Sequence, residues 1–163
     1  MNYLISLSLL MTMAASSSIN TLTVLPDRPT IYATLNAATT AEEIDQQIES
    51  LPNEVPNLRT GYEGALLMRK AGLVSGPFNK LATFRTGRAR LEKALDNGKL
   101  NPELHFLRLI IQEHAPRILN YKGNLRGDKA IVKAHFNRMP DDLRKIVLGY
   151  SRNSKVLPES ELH

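Results

Sequence analysis

The chain of 163 residues contains no cysteine and no tryptophan, and aromatic residues make up only 6% of it. Without thiols there can be no disulfide, no thiolate zinc site, no iron–sulfur cluster and no cysteine nucleophile. The same absence points away from a lipid-anchored bacterial lipoprotein, whose anchor is attached at a cysteine. It leaves the compartment open, because a chain without thiols suits reducing and oxidising surroundings alike. With so few rings, a core has to be built mostly from Leu, Ile, Ala, Val and Met. Long apolar runs are missing too: the longest, Leu4–Ala15, is well short of the about 20 residues that span a bilayer. Charge of one sign is not concentrated either. The formal net charge is +5, but both signs are spread along the chain, with no block that would read as a binding tail.

What is present begins with that short apolar run. Residues 4–15 (LISLSLLMTMAA) are followed by Ser16, Ser17 and Ser18, the pattern of a secretory h-region with small residues behind it for the peptidase. Cleavage after Ser16 would place Ala14 and Ser16 at the two small-residue positions. The n-region, Met1-Asn2-Tyr3, supplies no Lys or Arg. Set against a buried first helix, a signal peptide over residues 1–16 is the better reading, because Ser6, Ser8 and Thr12 do not fall into a helical stripe. The expectation is an exported protein, periplasmic or extracellular after cleavage, with no transmembrane segment in the mature chain.

Behind the signal, hydrophobic residues at 42% and charged residues at 23% are ordinary for one soluble domain with a real core. Residues 17–38, with Pro26 and Pro29, read as an irregular lead-in. Residues 39–153 then repeat one grammar of cap, apolar stripe and breaker. Thr39 or Thr40 caps a helix with Ile44, Ile48 and Leu51 on one side, and Pro52 and Pro56 end it and start the next. Further helices are expected from about Asn57 to Ala71, Phe78 to Asp96, Pro102 to His114, Asn124 to Arg138 and from Pro140 onward. No segment alternates long enough to propose a strand. The fold class is all-α, about six helices packed as antiparallel hairpins, with residues 154–163 as a flexible tail.

Within this pattern, Gly61-Tyr62 with Ala65, and Leu91-Glu92-Lys93-Ala94-Leu95 followed by Asn101-Pro102, resemble the two helices of a divergent tetratricopeptide-type hairpin. Small residues at 64, 65, 89 and 94 would let two antiparallel helices approach closely. The connection over residues 72–77 is longer than in that repeat, and only one such unit is present, without a regular 34-residue period. The segments Gly61–Ala65, Pro77–Lys80, Phe106–Arg108 and Leu119–Tyr121 resemble a family of small exported helical proteins of Bacteroidetes-type bacteria. That resemblance implies export and a helical fold and carries no activity.

Catalytic signatures are absent: no His-Glu-x-x-His, no Gly-x-Ser-x-Gly, no phosphate-cradling glycine loop and no Ca²⁺ loop. His105 and His114 lie nine positions apart, on opposite faces of one helix, so neither a metal nor a cofactor is expected, and no residue is assigned a catalytic role. The adjacency of Glu113 and His114 is weak ground for an acid/base pair, since neighbours on a helix diverge. Two arginines interrupt apolar stripes: Arg88 among Leu81, Phe84, Leu91 and Leu95, and Arg108 beside Leu104, Leu107 and Ile111. A guanidinium facing a core must find acceptors, and Glu63, Glu92, Gln112 and Glu113 are the nearest. The plainer reading ties helices together with partly buried ion pairs; the functional one lines a groove for an anionic group. Tyr62 and Tyr121 are candidates for stacking on a ligand, with core packing the stronger expectation for Tyr62.

The candidate ligand or partner contacts are therefore Tyr62, Arg88, Arg108, Glu113 and Tyr121. The resemblance to a tetratricopeptide-type hairpin, whose stacked helices form concave surfaces for partners, implies a non-enzymatic protein-interaction or scaffold module of the cell envelope, with a protein partner there. The alternative is an exported small-ligand binder or enzyme with a polar site in a helical groove. Nucleic acid is disfavoured, because no basic stripe is interleaved with aromatics. A groove lined by the third and fourth of these helices and containing Arg88 or Arg108 without an internal acid partner would favour the first reading, and a closed, deep pocket with converging polar groups the second.

Overall fold

A computed structural model describes residues 27–162; the expected signal peptide, residues 17–26 of the expected lead-in and His163 lie outside the described residues. Within them are seven α-helices and no strand: α1 (Arg28–Asn36), α2 (Ala41–Glu49), α3 (Pro56–Lys70), α4 (Pro77–Asn97), α5 (Pro102–His114), α6 (Leu125–His135) and α7 (Asp141–Ser151). Short 3₁₀ turns cover Arg117–Leu119, Phe136–Arg138 and Glu159–Glu161. The chain is all-α, as its patterning requires.

Most helix starts follow from side-chain chemistry. Thr40 and Glu43 form a reciprocal capping box at α2: the Thr40 hydroxyl accepts from the Glu43 amide at 3.1 Å, and the Glu43 carboxylate accepts from the Thr40 amide at 2.8 Å. That arrangement satisfies two otherwise unpaired donors. Asn101 accepts from the Glu103 and Leu104 amides at the start of α5. Proline occupies the first turn of α1, α3, α4 and α5, where its missing N–H removes nothing from the helix.

α3 and α4 cross antiparallel: Asn57 on α3 donates to the Ala94 carbonyl on α4, while Gly64 meets Gly87 and Leu91. The crossing is backbone against backbone. A Cβ on Gly64 would stand 2.6 Å from the Leu91 nitrogen and 2.7 Å from the Gly87 oxygen. Of the expected small residues, Gly64, Ala65 and Ala94 are buried in this contact region, whereas Ala89 is exposed and Gly87 takes its place. The reason is angular: positions 87 and 91 share the α3-facing stripe with Phe84 and Ala94, and position 89 points about 200° away from 87.

α5 runs through the centre, with nine of its thirteen residues buried. An aromatic series stitches the other helices to it. Tyr62 of α3 meets Tyr32 of α1 edge-on at 6.4 Å, Tyr32 lies 5.4 Å from Phe106 of α5, and Phe106 meets Tyr150 of α7 at 5.4 Å.

Two expectations are corrected. The irregular lead-in contains helix α1, because Asp27 caps it, Pro29 is harmless in its first turn, and Ile31, Tyr32 and Leu35 form a buried stripe. The tail after Asn153 is not loose over residues 154–162. Leu157 and Leu162 are buried in the core, and the Glu113 carboxylate accepts from the Ser154 hydroxyl and the Lys155 amide at 2.6 and 2.8 Å. Two apolar anchors five positions apart escape a pattern judged by the polar residues around them.

Candidate functional site

Four of the five candidate residues belong to hydrogen-bonded clusters closed on themselves. Arg108, on α5, is buried and grips Asp128 of α6 with two parallel bonds, Nε to Oδ2 at 2.8 Å and Nη2 to Oδ1 at 2.7 Å. Its Nη1 donates to Glu92 of α4 at 2.6 Å. Burial opposes the guanidinium charge, but the Asp128 and Glu92 carboxylates outweigh it and raise its pKa above the ordinary value. His105 completes the cluster, with Nδ1 2.6 Å from Asp128 Oδ1 and Nε2 2.8 Å from the Lys99 carbonyl. A His–Asp pair serves general-base chemistry only when the second ring nitrogen faces a reactant; here a backbone carbonyl occupies that side.

Tyr121 is buried beside this cluster, donating its hydroxyl to Glu92 at 2.5 Å. Burial first, then that bond, push its phenol well above the usual range. Arg88 is exposed rather than turned to the core, and its guanidinium lies 4.9 Å over the Tyr121 ring. The helix places Arg88 beside the Phe84–Leu91 stripe rather than in it, and the ring of Tyr121 supplies a partner that the charged side chain can reach from solvent.

Tyr62 donates to Glu103, which also receives two bonds from Arg28 Nε at 2.8 and 3.0 Å. Arg28 reaches Asp142 of α7 at 2.8 Å with Nη1. Burial raises the Tyr62 phenol out of its ordinary range, and the Glu103 carboxylate raises it further. Glu113 accepts from Tyr150, Ser154, Lys155 and Val156. Partial burial pushes its carboxyl up, and those bonds outweigh burial and hold it below the ordinary carboxylate value. The five residues therefore do not converge on one place. Arg88, Arg108 and Tyr121 share one cluster, while Tyr62 and Glu113 belong to two others.

The concave feature lies elsewhere. A groove of about 900 Å³ opens between the end of α3, the first half of α4, the end of α5 and the 3₁₀ turn that follows. Its floor includes Met68, Phe84, Ile110 and Ile111, and its mouth carries Leu81 and Ile118. Ile118 is 91% exposed, and neighbouring Phe78, at the start of α4, is 82% exposed. Among the described residues the polar lining consists of Asn36, Arg69, Lys80, Arg85 and His114, without a carboxylate. Pro77, Leu81 and Phe84 on α4 sit at i, i+4 and i+7, one helical stripe.

Sequence reasoning missed this groove because Leu81 was assigned to the core with its stripe-mates. The available signal was the pair of bulky apolar residues next to breakers, Phe78 after Pro77 and Ile118 after Pro116. Among the described residues there is no group of three potential metal ligands and no helix long and apolar enough to cross a membrane. No protein-family model matches the chain, nor does any curated protein or solved structure.

Proposed function

We propose that this protein is a non-enzymatic interaction module of the cell envelope, and that the groove between α3, α4 and α5 is where a protein partner docks. The observation that carries this reading is an open, mostly apolar groove whose mouth exposes Ile118, Leu81 and, beside them, Phe78. Soluble proteins seldom leave contiguous bulky apolar residues in water unless something covers them. The first two turns of α4, residues 77–82, are exposed along their length, so the antiparallel α3–α4 hairpin ends in a helix face with no neighbour among the described residues. In tetratricopeptide-like packing that face receives the next helix, or a ligand in its stead. The apolar N-terminal run adds the envelope as the compartment.

The enzyme alternative has less support. The polar clusters that would furnish its chemistry spend their donors and acceptors on one another, and the groove brings together no nucleophile with a base.

The test is photo-crosslinking in the native host, from a photoreactive residue placed at Leu81 of the full-length protein, with Leu100 as a control site. Leu100 is also well exposed but does not line the groove. The segment captured from Leu81 should bind the purified protein and lose that binding in Leu81→Asp and Ile118→Asp. Equal capture from both positions, or binding indifferent to both substitutions, would overturn the proposal.

A further inference from the structure

We infer that the segment taken by this groove is an amphipathic helix whose apolar stripe is bordered by acidic residues. The inference rests on the docking reading above and adds the chemistry of the partner.

Three features point the same way. The apolar stripe that α4 presents, Pro77, Leu81 and Phe84, runs over about 10 Å at 1.5 Å per residue. That is the span of i, i+4 and i+7 anchors on a partner helix, the spacing by which helices are read in grooves. Next, the charged groups around that stripe carry one sign: among the described residues Arg69, Lys80 and Arg85 line the groove and no Asp or Glu does. Elsewhere many cations are matched by acids, as in Arg28–Glu103, Lys70–Asp45, Arg90–Glu63 and Arg108–Asp128. Finally, two of the groove cations are held by neutral acceptors, which leaves their charge uncompensated. Arg69 Nη2 donates to the Ala37 carbonyl and Lys80 Nζ to the Gly72 carbonyl, each at 3.1 Å.

A partner with carboxylates beside its apolar anchors meets these cations at the rim, where opposite charge sets approach and orientation. A basic helix with the same anchors places like charges against Lys80 and Arg85.

The experiment is selection of a displayed library of helices on the full-length protein. Every member carries one apolar i, i+4, i+7 stripe, and the bordering positions vary among Glu, Lys and Gln. The expected result is enrichment of Glu at the borders, with the best acidic peptide binding at least about tenfold tighter than its Lys counterpart near 0.1 M salt, where charges farther apart than about 10 Å are screened. Lys80→Glu/Arg85→Glu should invert that preference. Both side chains are exposed, so the fold is not at risk, and melting curves verify this. Binders that depend on Leu81 and Ile118 but show no preference for Glu would overturn the acidic inference and leave the docking reading standing. No binder that depends on those two residues would sink both. If, instead, those residues govern binding to phosphatidylglycerol vesicles or self-association of the chain, the occupant is a lipid surface or a second copy, and the inference fails.

Discussion

Adding one methyl group at Gly64 should destabilise this protein even though alanine is the better helix former. In an ordinary helix interior the change gains about 1 kcal/mol, because glycine loses more backbone entropy on folding. At Gly64 the new Cβ would stand 2.6 Å from the Leu91 nitrogen and 2.7 Å from the Gly87 oxygen. Contacts between such atoms settle near about 3.5 Å or more, so α3 and α4 must separate by a good part of an ångström. Overpacking of that kind typically costs about 1–3 kcal/mol, and backbone atoms leave no flexible side chain to give way. With the upper part of that range set against the helix gain, the net loss is about 2 kcal/mol. At about 2–4 °C per kcal/mol for a chain of this size, the melting temperature should drop by about 4–8 °C. Gly149→Ala on α7 is the internal control: nothing lies within 4 Å of its added Cβ, so it should raise the melting temperature by a few degrees. Gly87→Ala, whose Cβ would meet the Gly64 oxygen at 2.6 Å, should behave like Gly64→Ala. The double variant should lose less than the sum, because helices already forced apart admit the second methyl more easily. Calorimetry on the four variants decides it. A Gly64→Ala protein melting at or above the parent would refute the close crossing.

Arg108→Met should cost about 3 kcal/mol, the low end of the range for breaking a buried pair, since it takes the guanidinium from the fully buried Asp128 carboxylate and leaves it only His105; an unchanged urea midpoint would contradict the structural role of that pair. Tyr32→Phe should be neutral or stabilising by about 1 kcal/mol, because its buried hydroxyl has no partner among the described residues, and a clear loss would reveal one. Truncation after Asn153 removes Leu157 and Leu162, both buried, worth at most about 3–6 kcal/mol at about 1.5–3 kcal/mol each; an unchanged melt would restore the flexible tail. The pH dependence has two sides. Glu113 and Asp142 have lowered pKa values in the folded state, so their stabilisation is present above the ordinary carboxylate pKa and is lost as pH falls through the depressed values. Tyr62, Tyr121 and Tyr150 have raised values, so theirs is present below about pH 10 and is lost at higher pH. Urea midpoints should therefore fall at both extremes, and a flat acid limb would contradict the Glu113 contacts.

The helices were legible where local chemistry and periodicity agreed. Thr40 with Glu43, Asn101 before Pro102, and the stripe Leu143, Val147 and Tyr150 each announce an element from a few residues. α1 was hidden because Pro26 and Pro29 read as breakers, although a proline in a first turn is compatible with a helix. Arg108 could be singled out as a charge beside an apolar stripe, and Glu92 as a partner. Asp128 could not, because it lies 20 residues away on another helix and looks like an ordinary acidic residue in a first turn. The groove is the least legible feature of all. Leu81, Ile111 and Met68 are core-like by spacing, and only the packing of three helix ends with the turn at Ile118 leaves them open to a ligand.

The most direct test of the groove as the docking site is methyl NMR of the purified protein titrated with the segment captured from Leu81. Shifts centred on Leu81, Ile111, Ile118 and Leu119, with Leu143 and Val147 unmoved, are the predicted result. Shifts centred instead on the methyls beside Arg108 and Tyr121, with Leu81 and Ile118 silent, would contradict it.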